Sequence, residues 1–367
     1  MTDGATAQGG TTVLDGLRTH GNDYSAVERD FRTRTGLDLT GPDLTGPDSL
    51  ALKDIKGISE QVTVVIATYN GGRALVGTLA GLQAQHYRGF EVVVVDDGSD
   101  PEPAAPAVRA AGLTVPVTLV RSPVNRGAGA ARNTGLRLAA GSTVIFLDDD
   151  MRAPPDMTAL LALRQQHTEG CLFTGFRENT GPETFFGARP AASRIEQDWR
   201  WSSDQGAGRH LMLTADQDIP RPDRTSYQLV RESRYFKEFG HCEAIGFWDL
   251  PGMVSGHSLC VKRAAALAVG GFPEGYFTGW GVEDLAFGAL MAAHGHYVVP
   301  ALDWVSFHLW HEGRHEPRAA QHAALERNFA RYLGFLRRPL TGQRLPDHRL
   351  RRRDRYAPGF EYYELVR

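Results

Sequence analysis

Apolar runs that end in charge constrain the fold of this chain more than any other feature. "VTVVIATYN" from Val62, "FEVVVVDDGSD" from Phe90 and "STVIFLDDD" from Ser142 are short and rich in β-branched residues, and each turns polar at its end. Runs of this kind predict strands of a parallel sheet buried on both faces. "VPVTLVRS" from Val115 is a fourth. Between them "GRALVGTLAGLQAQ", "AAPAVRAAG" and "GAGAARNTGLRLAAG" carry small and apolar residues at helical spacing. Strands alternating with helices at this interval predict βαβ units and an α/β domain. The polar residues gather at the C-terminal ends of the strands, where open α/β sheets bind their ligands.

The third run ends in Asp148, Asp149 and Asp150. Like charges crowded together repel, and each resists removal from water. Three of them at a buried strand end predict a positive partner. Oxygen ligands suit Mg²⁺ or Mn²⁺, and such an ion commonly also holds substrate phosphates. An acidic loop or helix cap is the plainer alternative, but it leaves the apolar strand before the acids unexplained. Asp96 and Asp97 precede Gly98-Ser99, a spacing that reads equally as an ordinary turn or as a carboxylate placed for a base or ribose hydroxyl.

The 367 residues, 42% hydrophobic and 23% charged, suit one large or two modest globular domains. A formal net charge of −3 predicts no bulk attraction to nucleic acid or to an anionic membrane surface. Cys171, Cys242 and Cys260 are far apart and form no CxxC pair, so neither a cysteine zinc site nor a disulfide framework is expected. The N-terminus lacks a basic start and an apolar core, and no apolar run approaches the ~18 residues of a membrane span. These features predict a cytoplasmic protein with no integral membrane segment.

Residues 1–60 are polar and turn-rich, with "LTGPD" at Leu39 and again at Leu44; they read as an extension on the domain surface. From 151 to 250 regularity loosens, and "RENTGPETFFGARP" and "RWSSDQGAGRH" read as loops. The stretch "GMVSGHSLCVKRAAALAVGGFPEGYFTGWGVEDLAFGALMAAHGHYVVP" then reads as strand, helix, turn, helix, strand. "AALERNFARYLGFL" is a late amphipathic helix, and "RLRRRDR" a solvated basic tail.

Taken together, "VVIATYN", "VVVVDDGSD", "NRGAGAARNTG" and "FLDDD" resemble, in order and spacing, the nucleotide-sugar half of GT-A glycosyltransferases, particularly family 2. "GGFPEGYFTGWGVEDLAFG" is similar to the acceptor-side segment of β1,4-galactosyltransferases, polypeptide N-acetylgalactosaminyltransferases and chondroitin polymerases. The resemblance covers roughly residues 62–312, with a poorly matched middle. It implies an α/β GT-A fold with a mixed, mostly parallel central sheet and helices on both faces. It also implies an N-terminal extension at 1–60, a catalytic domain at 61–315 (nucleotide-sugar half 61–150, acceptor half 251–315), and a helix and tail at 316–367.

The resemblance further implies roles for particular residues. Thr68 and Tyr69 line the base pocket, Tyr69 stacking on the base. Asp97 binds base or ribose. Arg126 and Arg132 contact the diphosphate, although a solvent-facing helix charge is the competing reading for each. Asp148 and Asp150 form the DxD pair, with Asp150 on the metal and Asp148 on ribose or metal-bound water; Asp149 shares either task. His308 is the first choice for a further metal ligand, with His311 second and also near substrate, and His315 beyond them. Imidazole favours Mn²⁺ over Mg²⁺. Asp284 is the general base and Glu283 holds acceptor or sugar. Trp280 offers a sugar platform, and Gly279 and Gly281 let its loop close. Acids in a first helical turn favour the helix dipole, which accounts for Glu283 and Asp284 in part but not for Gly-Trp-Gly before them. Gly256 and His257 face the sugar.

The implied reaction is inverting, metal-dependent transfer of a hexosyl or N-acetylhexosaminyl group from a nucleotide-sugar, by family habit a UDP-sugar, to a saccharide, peptide or small metabolite. A homo-oligomer stays open. A nucleotidyltransferase acting on sugar phosphates and a noncatalytic nucleotide-sugar-binding protein are the competing classes. "TYNGGRA" only faintly matches the Arg/Lys-containing Gly-rich loop of the first, and intact acids speak against the second.

Overall fold

The computed structural model describes residues 10–41, 57–187, 250–311, 317–340, 344–346 and 362–366. Its centre is a nine-stranded mixed sheet among these residues, ordered β5-β8-β6-β7-β4-β1-β2-β3-β9. The four strands expected from the apolar runs are β1 (Val62–Thr68), β2 (Phe90–Asp96), β3 (Val117–Arg121) and β4 (Thr143–Asp148). They lie side by side and parallel in the order β3-β2-β1-β4. Three helices connect them: α3 (Gly72–Gln83), α4 (Ala105–Ala111) and α5 (Ala128–Leu138). The chain winds outward from β1 through β2 to β3, then returns to the other side of β1 for β4. That reversal opens a crevice at the C-terminal strand ends.

Both faces of the sheet are covered, and strand residues alternate between the two cores. Val65, Val93, Val95 and Phe146 pack on one side with Leu136 of α5, while Val64, Ile66, Val92 and Val94 pack on the other with Leu75 and Leu79 of α3. The near-continuous apolar runs follow directly: a strand buried on both faces has no solvent side to mark with polar residues.

The segment expected to loosen after Asp150 is largely regular. The short strand β5 (Met151–Arg152) leads to α6 (Met157–His167), β6 (Cys171–Thr180) and α7 (Pro182–Phe186). "RENT", expected as loop, is the end of β6, which pairs antiparallel with β7 (Ser258–Lys262) and parallel with β8 (Tyr297–Leu309). Polar residues hid this strand from a hydrophobicity pattern. Thr174 is fully buried and donates to Met253 O (3.0 Å), and Asn179 is buried against His308. Gly175 sits where the β6–β8 register shifts, and a Cβ there would lie 2.4 Å from the fully buried Trp304 ring. "RWSSDQGAGRH" lies outside the described residues.

The second half continues with α8 (Arg263–Ala268) after β7 and α9 (Glu283–Ala293) before β8, then α10 (Arg318–Leu336), as the sequence predicts. Its strand β7 runs antiparallel beside β4. The tail differs from expectation. "RLRRRDR" lies outside the described residues, but Tyr362–Val366 forms β9, antiparallel to β3 at the sheet edge.

The N-terminal segment also differs from a turn-rich surface extension. Helix α1 (Val13–Thr19) starts on a reciprocal cap: Thr12 Oγ1 accepts the Asp15 N–H and Asp15 Oδ2 accepts the Thr12 N–H. Its Val13 and Leu17 enter one core, while Tyr24, Phe31 of α2 (Ser25–Thr35) and Leu39 enter the other. Asn22 is buried and bonds both the N–H and the carbonyl of Val298 in β8. "TVLD" before an apolar stripe was the available signal, masked by a polar composition. No described helix is long and apolar enough to cross a membrane. Cys171 and Cys260 are free and buried, which pushes each thiol up to about 12; Cys242 lies outside the described residues.

Candidate active site

The three consecutive aspartates turn to three different partners. Asp148, the last residue of β4, pairs with Arg132 on α5 (2.9 Å). Asp149 turns toward β1 and accepts the Thr68 hydroxyl (2.5 Å). It lies so close to the start of α3 that a Cβ on Gly71 would fall 2.2 Å from its Oδ2. Asp150 turns toward β8, where its Oδ2 lies 3.3 Å from His308 Nε2 and 3.1 Å from His311 Nε2. Extension rotates successive side chains to opposite sides, and the turn that follows β4 redirects the third. Each carboxylate thus meets its own partner, and the Arg132 guanidinium neutralises Asp148.

Asp150, His308 and His311 form the potential metal cluster among the described residues, with ligand atoms within 4.8 Å of one another. The hydrogen bonds of His308 test whether a cation fits. Its Nδ1 is 2.7 Å from Asn179 Oδ1. An amide oxygen only accepts, so Nδ1 carries the proton and Nε2 presents a lone pair. That lone pair faces the Asp150 carboxylate, acceptor against acceptor. Burial pushes the His308 pKa down despite the nearby Asp150 charge, which opposes a second proton. A divalent cation between these groups would resolve the conflict, and the N/O donor set would suit Mn²⁺. Asp148, expected beside Asp150 on the metal, instead faces Arg132. His315 lies outside the described residues. Asn179 was not anticipated: it orients a histidine from a neighbouring strand, which no local pattern marks.

The ends of β1 and β2 form the next wall. Asp96 Oδ1 accepts the Ser99 N–H (2.8 Å) and its Oδ2 the Ala104 N–H (2.9 Å), shaping the loop after β2. Asp97 Oδ2 accepts the N–H groups of Arg126 (2.9 Å) and Gly127 (2.8 Å), tying that loop to the one before α5. Gly98 takes the left-handed conformation (φ 75°), and a Cβ there would lie 2.6 Å from the Val124 backbone. Tyr69 is half-buried beside the buried Thr68.

Burial pushes the Asp97 carboxyl up to about 6, against the lowering effect of its two amide donors and of Arg126. The ordinary aspartate value is about 3.9. A group that holds its proton more tightly in the folded chain contributes stability while protonated, and that contribution is lost as pH rises from about 4 to about 6. Two units correspond to roughly 3 kcal/mol. Asp97→Asn removes the titration, so the stability of wild type relative to this variant is expected to fall by about that amount between pH 4 and pH 7. Urea unfolding at the two pH values measures it, and a constant difference would contradict it.

The two arginines expected at a diphosphate are both paired. Arg126 reaches Glu274 (3.1 Å), which also holds Arg137 and Asn133. Arg132 is buried and bridges Asp148 and Glu283, 2.9 Å from each. The structure thus gives Arg132 a place between two carboxylates, in contrast to the expected solvent-facing or phosphate-facing one. Glu283, expected at acceptor or sugar, is the other end of this bridge. Burial and the neighbouring Asp284 push its carboxyl up, and Arg132 opposes them.

Asp284 is half-buried at the start of α9, and its Oδ2 accepts the Gly256 N–H (3.0 Å). The adjacent His257 is buried with Nδ1 2.6 Å from Ser258 Oγ. Trp280 is 53% exposed. Its loop is anchored rather than hinged. The buried Asn328 of α10 donates to the carbonyls of Thr278, Trp280 and Gly281 and accepts the Thr278 N–H. Gly279 (φ 75°) and Gly281 (φ 89°) supply the left-handed turns that bring this loop against Ala324 and Leu325 of α10.

Residues 63–219 match the family model described as glycosyl transferase family 2. That match covers somewhat less than half of the chain, and the mixed, mostly parallel sheet with helices on both faces is the architecture expected of a GT-A fold. The chain is similar to the amylovoran biosynthesis glycosyltransferase AmsB of Erwinia amylovora, with 42% identity over 24% of this chain and 30% of AmsB. It is also similar to the validoxylamine A glucosyltransferase of Streptomyces hygroscopicus subsp. jinggangensis, with 29% identity over 70% of this chain and 57% of that enzyme. The chain thus spans about a third and somewhat over half of the length of these two relatives. Among solved structures, the mannosyltransferase PcManGT from Pyrobaculum calidifontis, in complex with GDP-Man and Mn²⁺, aligns with a TM-score of 0.45 and 21% identity, covering 85% of this chain and 70% of that one.

Proposed function

We propose that this protein is a metal-dependent, inverting glycosyltransferase that moves a sugar from a nucleotide-sugar, UDP being the expected nucleotide, to an acceptor nucleophile. The observation that carries the reading is the crevice over β1, β2 and β4. It holds the acceptor-against-acceptor Asp150–His308–His311 cluster after β4, and Arg132 links Asp148 at the same strand end to the carboxylate pair Glu283 and Asp284 at the start of α9. A relative named for glucosyl transfer supports a hexosyl donor.

In this reading Tyr69 stacks on the base, and Asp97 accepts from base or ribose through Oδ1, its Oδ2 holding the Arg126 and Gly127 amides. Asp150, His308 and His311 hold the metal. When bound, the metal neutralises charge on the diphosphate that departs. Trp280 receives the flat face of the acceptor. Asp284 takes the proton of the acceptor hydroxyl as its oxygen bonds to the anomeric carbon and the bond from that carbon to the phosphate oxygen breaks. One base without a second flanking carboxylate nucleophile implies a single displacement and inversion. An NMR assignment showing a retained anomeric configuration in the product would sink that part.

Thermal unfolding with Mn²⁺ and each of UDP, GDP and dTDP tests the donor site. A ligand that binds only the folded chain raises its Tm, by an amount equivalent to about 2.7 kcal/mol at a hundredfold excess over Kd. One nucleotide is expected to produce a Mn²⁺-dependent rise that Asp150→Ala abolishes. No rise with any nucleotide would remove the reading.

A further inference from the structure

Arg132 is a buried cation that touches both the end of β4 and the start of α9. It sits on α5 with its side chain 7% exposed, Nη2 on Asp148 Oδ1 and Nη1 on Glu283 Oε1, 2.9 Å each. Its guanidinium plane lies against the loop before β7, where a Cβ on Gly256 would fall 2.3 Å from Cζ. The Phe272 ring lies 5.5 Å away on another side. The preceding turn of α5 packs on Glu283 itself: a Cβ on Gly129 would meet its Cγ at 3.4 Å. The same Gly256 gives its N–H to Asp284. The guanidinium is thus flanked by Gly256 and Phe272, with its two terminal nitrogens directed to carboxylates from opposite halves of the sequence.

We infer that Arg132 is a positioning residue that couples the two half-sites: it holds Asp148 of the donor wall and Glu283 of the acceptor wall in one rigid unit. This rests on the donor-site reading above. A planar fork fixes two carboxylates in set directions, which a rotating ammonium on a flexible stem does not. Gly256 permits the close fit, since any side chain there displaces the guanidinium. The guanidinium that holds Asp148 also engages Oε1 of Glu283. The proton-accepting role is thereby left to Asp284, one residue on. Coupling of this kind makes donor affinity depend on a residue of the acceptor wall that reaches the donor wall through Arg132.

The test is a double-mutant cycle on the Kd for UDP in saturating Mn²⁺, or for GDP if that is the nucleotide the wild type binds. The proteins are wild type, Arg132→Met, Glu283→Gln and the double variant, measured by calorimetry on the full chain. Glu283→Gln alone is expected to weaken binding about threefold to tenfold, within the range of coupling between contacting residues. In the Arg132→Met background the same change is expected to have no further effect. A merely structural Arg132 lowers the Tm of its variant but leaves the two effects multiplicative. Multiplicative effects, or no effect of Glu283→Gln, overturn the coupling. If Arg132→Met does not fold, Arg132→Lys replaces it, and the same loss of the Glu283→Gln effect is expected. A wild type that binds neither nucleotide with Mn²⁺ overturns the donor-site reading itself, a result distinct from wild-type binding with a multiplicative cycle.

Discussion

Asp284→Asn is expected to slow sugar transfer by about 10²–10⁴-fold while Mn²⁺-dependent nucleotide binding persists. The reason lies in how the two adjacent acids are engaged. Glu283 is committed to the Arg132 guanidinium. Among the described residues, Asp284 instead receives backbone N–H groups from Gly256 (3.0 Å) and Leu285 (2.8 Å), which orient a carboxylate and leave it lone pairs. Asparagine keeps the shape and an oxygen for the Gly256 amide but takes up no proton. Nucleotide release from a panel of UDP-sugars measures the rate, and the thermal shift reports the donor site separately. A variant that retains more than about a tenth of the rate would exclude Asp284 as the general base, since base catalysis contributes at least about a hundredfold.

The second large effect concerns stability, far from the crevice. Arg164→Met is expected to cost about 3–5 kcal/mol, as removal of one partner from a buried ion pair does. Arg164 is 2% exposed within α6. Its Nη2 lies 2.6 Å from Asp303 Oδ2 of β8, and its Nε donates to Leu39 O (2.7 Å). It therefore ties α6, β8 and the N-terminal segment at one point. Without it, Asp303 is left as an uncompensated buried charge, packed so tightly that a Cβ on Gly41 would lie 2.6 Å from its Oδ2. A domain holds a total of about 5–15 kcal/mol, so roughly a fifth or more is at stake. Replacing both partners, Arg164→Met with Asp303→Leu, is expected to recover much of the loss. Urea unfolding measures each variant, and a loss below about 1 kcal/mol for Arg164→Met would show that the pair is not desolvated as its burial implies.

Arg164 also illustrates what a sequence conceals. In "LLALRQQH" it looks like a polar position on an ordinary helix, yet it is among the most buried large side chains. Its burial depends on Asp303, far along the chain. The same holds for Asn22, Asn179 and Asn328, polar residues whose partners are backbone or side chains of distant elements. Composition alone made residues 10–41 look like an extension and the end of β6 look like a loop. In both, polar groups are satisfied by tertiary hydrogen bonds that no local window contains.

The strand–helix succession from Val62 to Asp148 was legible because it is local. A strand buried on both faces needs a continuous apolar run, and a helix needs its own period. The acids at the strand ends were legible because charge is unexpected there. The partners of those acids were decided by the tertiary structure. Three adjacent carboxylates diverge from one strand end, and only the placement of α5, β1 and β8 around it sends Asp148 to Arg132, Asp149 to Thr68 and Asp150 to His308 and His311. Sequence marked where negative charge accumulates; the direction of each side chain, and so its chemistry, depends on contacts between residues far apart in the chain.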